Sequence, residues 1–430
     1  HRRAAMLDGD VELVAGCFSS TPEKSKASGK DLYLPDNRVY GTYQEMLAAE
    51  AKLPDGERID FVSIVTPNHM HYPVAKAFVE AGFNVVCDKP MVHTMEQAMD
   101  LVKAVKKHNV LFAVTYNYTG YPMVKQAQHL VKTGALGTIQ KVIVEYPQGW
   151  LVTRAELEGS KQAAWRTDPA RSGASGCIGD IGSHCENLAS YITGLELESI
   201  CAHLSTFAAG RELDDDGDIL LRFKGGAVGI LTASQICPGQ ENSLRIRVWG
   251  TKAGLEWIQE EPNHLMVRSN DGPEQIYRRG WDYNCDAAKA ATRLPTGHPE
   301  AFFEAFANVY HNFCNTLRAK AMGVECRFTG TEGVDVKAHG LERVRVTDLG
   351  TAIIRSGSVR RTSSPARAVG TAGGSRLILV DHKGEDSIFR ARGSRAAVTE
   401  GDDTNRVCSA LLARLGVPVI GIVDGDEDGI

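Results

Sequence analysis

The residues best placed to do chemistry begin at Val85-Val86-Cys87-Asp88-Lys89-Pro90. An apolar run of strand type stops there at a carboxylate, an ammonium and a proline that cannot extend the ladder. Ligands of open α/β folds gather at the carboxyl ends of strands, which makes Lys89 a candidate for polarising a substrate oxygen. A solvated lysine at a strand end would fit the same pattern. The second group is Gly179-Asp180-Ile181-Gly182-Ser183-His184. Asp180 and His184 stand four apart, so a helix beginning near Asp180 projects both from one face. A simple capping pair would have the same spacing. Trp165-Arg166 opens a stretch rich in Gly and Arg and can clamp a ligand or pack at the surface.

Together these groups suit one reaction class. Oxidising a secondary alcohol needs a hydride acceptor and a base for the hydroxyl proton, and histidine suits that task near neutral pH. A neighbouring ammonium favours the developing alkoxide. A carboxylate orients the base or binds a hydroxyl. Lys89, His184 and Asp180 supply these roles without a metal, and no metal site is expected.

The elements that must position them alternate through residues 1–118. Strands are expected at Val11–Phe18, Ile59–Val65, Asn84–Cys87 and Val110–Val114. Helices are expected over Thr21–Ser28, Tyr43–Ala51, Tyr72–Ala81 and Met95–Lys107. That alternation indicates a parallel sheet with crossover helices. Residues 119–325 differ. Helices at Met123–Thr133 and Ser183–Thr193 accompany strands at Ile139–Tyr146, Ile219–Phe223, Ala227–Ala233, Leu244–Trp249 and Leu265–Arg268. A long amphipathic helix, Pro299–Ala321, closes this part. The expected fold class is α/β: a Rossmann-like parallel sheet, then an α+β domain with a mostly antiparallel open sheet. From 326 to 430 the pattern changes, and a small α/β unit from 376 is expected, with strands at Leu377–Val380 and Val417–Val423 and a helix at Arg406–Leu415.

A chain of 430 residues with net charge −5 is long enough for two or three domains and has no bulk attraction to nucleic acid or anionic membrane. No apolar run has the length of a membrane span, and no signal-peptide core stands at the start. Ten cysteines without a C-x-x-C pair read as small buried hydrophobes of a reducing, cytoplasmic compartment. An open sheet leaves a face to cover, which points to a homo-oligomer.

The sequence resembles the glucose–fructose oxidoreductase/inositol dehydrogenase (Gfo/Idh/MocA) superfamily from residue 1 to about 325. The resemblance rests on Ile64-Val65-Thr66-Pro67-Asn68-His69-Met70-His71, Cys87-Asp88-Lys89-Pro90, Tyr116-Asn117-Tyr118, Trp165-Arg166 and Gly179–His184. It implies a Rossmann domain binding NAD or NADP and acting on a sugar, inositol or related polyol. It assigns Lys89, Asp180 and His184 to catalysis and to substrate binding. It places Thr66, Pro67, Asn68 and His71 near the cofactor, with Asp88 and Lys89 beside the nicotinamide ribose. Asn117, Tyr118, Trp165 and Arg166 are carried toward cofactor or substrate.

Three departures accompany the resemblance. No G-x-G-x-x-G is present, so the first strand and phosphate-binding turn are read as missing from residues 1–118. Asp88 stands where the family more often has Glu. The family's closing segment is not recognised after Arg327. At the end of the first expected strand, Ser19 and Ser20 with Lys24 replace the acidic residue that would bind a ribose 2′-hydroxyl, which leaves NADP open. Two other functions stay open: an NAD-dependent glycosidase using the same site, and a truncated, non-catalytic binding protein. The acidic run Asp424–Asp428 reads as a solvated terminus before it reads as a cation site.

Overall fold

The computed structural model describes residues 1–322 throughout and, beyond them, the backbone of Leu377–Val380, Ala396–Glu400 and Val419–Ile422. The chain divides into two compact units, His1–Val336 and Lys337–Ile430.

The first sheet of unit one is parallel, in the order β1 (Phe61–Ile64), β2 (Asn84–Cys87), β3 (Phe112–Val114). Its central strand is a continuous apolar run because helices cover both faces. On one face lie helices His71–Glu80 and Met95–His108, which bury Val74, Phe78, Val79, Leu101 and Val105. Apolar positions at helical spacing give each helix a single inward stripe. Helix Met95–His108 begins on a Thr94 side chain that accepts from Gln97 N. It ends with Lys106, Lys107 and His108 ahead of a left-handed Asn109, so both ends are capped and charged to suit the dipole. Helix Phe302–Ala321 covers the other face, where Phe306, Tyr310 and Phe313 pack with Ala4, Ala5 and Val86. This helix closes the second domain in sequence and buries its apolar stripe on the first sheet.

The expected strand over Val11–Phe18 does not form. Its backbone makes one isolated parallel bridge, Gly16 to Val39, although Ala15 still reaches the core. An apolar run becomes a strand only where a ladder partner lies beside it.

The second sheet has eight strands. In chain order they are β4 (Ile139–Pro147), β5 (Leu197–Ser205), β6 (Asp216–Phe223), β7 (Val228–Ser234), β8 (Arg245–Gly250), β9 (Ala253–Ile258), β10 (His264–Ser269) and β11 (Gln275–Arg278). Their spatial order is β11-β10-β9-β8-β4-β7-β6-β5. Only β4 and β7 run parallel; every other neighbouring pair is antiparallel. Helices Pro122–Lys132 and Ser183–Thr193 cover one face, enclosing Trp257, Leu188, Ile192, Met123 and Ile246. The opposite face carries paired charges such as Glu145 with Arg245 and Arg247, and Glu256 with Arg268. Strands β5, β9 and β11 went unanticipated in the sequence.

Unit two contains a parallel sheet, β12 (Leu377–Val380), β13 (Ala396–Glu400), β14 (Val419–Ile422), in that order. The strand expected at Leu377–Val380 forms, that expected over 417–423 is described at Val419–Ile422, and β13 is an addition. The helix expected over 406–415 and the acidic run 424–428 lie outside the described residues.

Candidate active site

The parallel sheet delivers three turns to one edge. After β1 comes Thr66-Pro67-Asn68, after β2 Asp88-Lys89-Pro90, and after β3 Thr115-Tyr116-Asn117. Parallel strands end at the same edge, so these turns become neighbours. Two side chains tie them together. Asp88 Oδ1 accepts from Lys89 N at 2.9 Å and from Thr115 Oγ1 at 2.7 Å. His71 sits between Pro90 O at 2.7 Å and Thr66 O at 2.9 Å through its two ring nitrogens. With 1% of its surface exposed, His71 braces the turns from behind. Asn68 is likewise buried, and its amide donates to Ser172 O at 3.1 Å. Thr66 is exposed and Pro67 partly so. Asn117 is buried with Nδ2 lacking a hydrogen-bond partner.

Asp180 and His184 come from the other domain. Residues Ile178–Gly182 form a single π turn that leads directly into helix Ser183–Thr193, and such turns recur at functional sites. The Asp214 carboxylate fixes the approach, accepting from Gly176 N and Ile178 N, each at 2.8 Å. Gly176 has to be glycine, since a Cβ there would stand 2.3 Å from Asp214 O.

Lys89 Nζ donates to the Asp180 backbone oxygen at 2.6 Å and to Oδ1 at 2.7 Å. Asp180 Oδ2 accepts from Arg166 Nε at 3.2 Å and Gln235 Nε2 at 3.0 Å. Burial pushes the Asp180 carboxyl up, but the charges of Lys89 and Arg166 outweigh it and hold the group well below the usual carboxylate range. Burial, then the Lys89 charge, press His184 down to about 3. His184 is therefore a neutral imidazole at physiological pH, and its Nδ1 is buried without a partner.

Aromatic rings wall the histidine. Tyr118 lies 4.8 Å from it between centroids and Tyr116 5.7 Å, both edge to face. The Tyr118 hydroxyl is engaged in a closed polar triangle. It meets the Tyr146 hydroxyl at 2.5 Å, Tyr146 donates to Asn242 Oδ1 at 2.5 Å, and Asn242 Nδ2 donates back to Tyr118 at 3.2 Å. Tyr118 thus faces the site with its ring. Trp165 and Arg166 end the short helix Lys161–Arg166, where the guanidinium lies 4.2 Å from the Trp165 ring centroid. Ser19 and Ser20 precede helix Pro22–Asp31.

The structure thus gathers Lys89, Asp180, His184, Arg166 and Tyr118 in one place. Sequence reasoning passed over Gln235, Asp214, Tyr146 and Asn242. None belongs to a spaced motif; a polar residue just past a strand end is the only signal Gln235 offers. Among the described residues Asp8, Asp10 and His311 could together reach a metal ion. Asp8 is paired instead with Arg293, and Asp10 with Arg318 and His311. No helix among the described residues is long and apolar enough to cross a membrane.

Residues 1–116 match the model of an oxidoreductase family with an NAD-binding Rossmann fold, and residues 124–256 match the Gfo/Idh/MocA C-terminal domain. Residues 320–430, for which the sequence suggested no family, match an uncharacterized family conserved in archaea, DUF2117. The uncharacterized oxidoreductase YfiI of Bacillus subtilis is 33% identical over 348 residues, covering 80% of this chain and 88% of that protein. The crystal structure of an oxidoreductase from Sinorhizobium meliloti shares 44% identity with a TM-score of 0.68, over 74% of this chain and 85% of that one. An inositol dehydrogenase homolog from Azotobacter vinelandii, complexed with NADH and myo-inositol, shares 32% identity with a TM-score of 0.70, over 75% and 82%. The two domain matches fall on the two sheets that contribute Lys89 and the Asp180–His184 pair, and the chain belongs to the Gfo/Idh/MocA family of NAD(P)-dependent oxidoreductases.

Proposed function

We propose that the chain oxidises a secondary hydroxyl of a sugar, inositol or related polyol, with Lys89, Asp180 and His184 as its catalytic group. One observation carries the reading. Lys89 places two of its three N–H groups on Asp180, which leaves one for a substrate oxygen. The same contacts, with those of Arg166 and Gln235, engage both Asp180 oxygens, so Asp180 is an anchor and not a base. The proton acceptor is the neutral imidazole of His184. It takes the hydroxyl proton while the Lys89 N–H stabilises the oxygen as it gains negative charge. A polyol ligand in the Azotobacter relative supports this substrate class.

Bound nicotinamide supplies the hydride acceptor. The described residues fit its nicotinamide end. The unpartnered, buried Asn117 amide is a donor suited to a ribose or carboxamide oxygen, and exposed Thr66 with part-exposed Pro67 and Asp88 lines the same edge. Asn68 and His71 hold that edge in shape, and Trp165-Arg166 bounds it on the side of Asp180. Ser19 and Ser20 offer hydroxyls where a carboxylate would select NAD, and the reading takes both NAD and NADP. The uncovered face of β4–β11 is read as the surface for a second copy.

NAD(P)H production over a panel of inositols and aldoses tests the proposal. Lys89→Met should lower kcat by about 10²- to 10⁴-fold. Equal turnover by the variant removes Lys89 from the catalytic group, and an inactive wild type across the panel removes the polyol reading.

A further inference from the structure

We propose that Gln235 is a positioning residue of this site, whose amide sets the Asp180 carboxylate and, through it, the Lys89 ammonium. The inference rests on the catalytic reading of Lys89, Asp180 and His184 above. Gln235 is the first residue after β7, beside the end of β4, the one parallel neighbour in the large sheet. Its backbone is held on both sides: its N–H donates to Asp215 O at 2.9 Å and its carbonyl accepts from Leu151 N at 3.0 Å. Its side chain, on a residue 2% exposed, reaches Asp180 Oδ2 at 3.0 Å. The amide must present nitrogen there, because its oxygen would face a carboxylate oxygen.

The two donors to Oδ2 differ in what holds them. Arg166 is part-exposed at the end of a short helix, is shared with Gln162 and stacks on Trp165. Gln235 is buried, and its backbone belongs to the sheet. It is also neutral. Lys89 and Arg166 already balance Asp180, so a third cation would compete with Lys89. An apolar residue would leave Arg166 as the one side-chain donor to Oδ2 among the described residues. Two neighbouring carboxylates are engaged elsewhere: Asp215 with Arg211 and the Phe207 and Ala208 N–H groups, and Asp214 with the Gly176 and Ile178 N–H groups. A neutral donor on a fixed backbone leaves Oδ1 to Lys89, and so fixes where the remaining Lys89 N–H can point.

Gln235→Leu and Gln235→Glu test this. The leucine cannot donate and should lower kcat by about 10- to 100-fold at every pH, with the KM for cofactor little changed. The glutamate is the sharper probe. Ionised, it repels Asp180; protonated, its O–H replaces the lost amide donor, and a carboxyl beside a carboxylate keeps its proton to higher pH. Its deficit relative to wild type should therefore be large at pH 8.5 and shrink at least tenfold by pH 5.5. A Gln235→Glu deficit that does not shrink on acidification overturns the proposal. So does Gln235→Leu turning over within twofold of wild type. Melting curves give a readout without turnover. The Tm deficit of Gln235→Glu should close on acidification while that of Gln235→Leu stays constant; parallel deficits also overturn it. If wild type oxidises nothing in the panel, the polyol reading fails and the melting curves still decide for or against Gln235.

Discussion

The two sheets of unit one solve the burial problem in opposite ways, and the site sits where they meet. The parallel sheet is short, covered on both faces and assembled from turns that side chains tie together at one edge. The large sheet is long, mostly antiparallel and covered by helices on one face only. The first contributes Lys89 on a turn braced by Asp88 and His71. The second contributes Asp180 and His184 on a helix entry braced by Asp214. The difference shows which side chains can be aimed. Where both faces are buried, chemistry leaves only from strand ends. Where one sheet face meets helices, it leaves from the helix entry and from the strand beside it.

The contrast breaks most sharply in the core. Phe78 is fully buried beneath the parallel sheet and Leu188 beneath the large one. Phe78→Ala should cost about 3–5 kcal/mol and Leu188→Ala about 2–5 kcal/mol. Helix Phe302–Ala321 closes the second domain yet covers the first sheet, so both variants should shift one common calorimetric transition. Two separate transitions, each moved by one variant, would show that the sheets unfold independently.

A smaller effect sharpens the comparison at the braces. Asp214→Ala leaves the Gly176 and Ile178 N–H groups without their acceptor, a loss of about 1–3 kcal/mol. Asp214→Asn keeps one oxygen and should recover part of it. Asp88→Ala should cost less, because Asp88 is 30% exposed and water can replace it. Chemical denaturation of the three variants ranks them. A larger loss from Asp88→Ala would reverse the assignment of the stronger brace to the large sheet.

How much of this the sequence disclosed follows the same divide. Strand β2 is legible because a sheet buried on both faces needs an unbroken apolar run, and β6 because its side chains alternate strictly between buried and exposed. Strand β5 is not legible, since nearly all its side chains are exposed and no alternation is left to read. Strand β9 fails for the opposite reason, with four consecutive buried residues. The run Val11–Phe18 looked like a strand, but periodicity carries no information about the partner a strand needs. In the site, Lys89, Asp180 and His184 were legible because a strand stop and a four-residue spacing are local signals. Gln235 and Asn242 act across more than fifty residues of chain, and no local pattern encodes that contact.

The smallest effect at neutral pH concerns His184 itself, and its sign follows from linkage. The folded value of about 3 lies below the unfolded 6.5 because burial and the Lys89 charge disfavour the imidazolium. Between those values the unfolded chain binds more protons than the folded one, so stability rises with pH through that window and is lost as pH falls below 6.5. The depressed Asp180 carboxyl acts in the same direction but only below 3.8, so it does not contribute above pH 4.5. His184→Phe removes the group that must be kept neutral while retaining a ring for Tyr118 to pack on. Its Tm should therefore fall less than that of wild type between pH 7 and pH 4.5, with a modest difference at pH 7. Parallel Tm curves would mean that His184 takes up its proton in the folded state as readily as in the unfolded one. The burial and the Lys89 charge that set His184 apart from a free imidazole would then have no effect on its protonation.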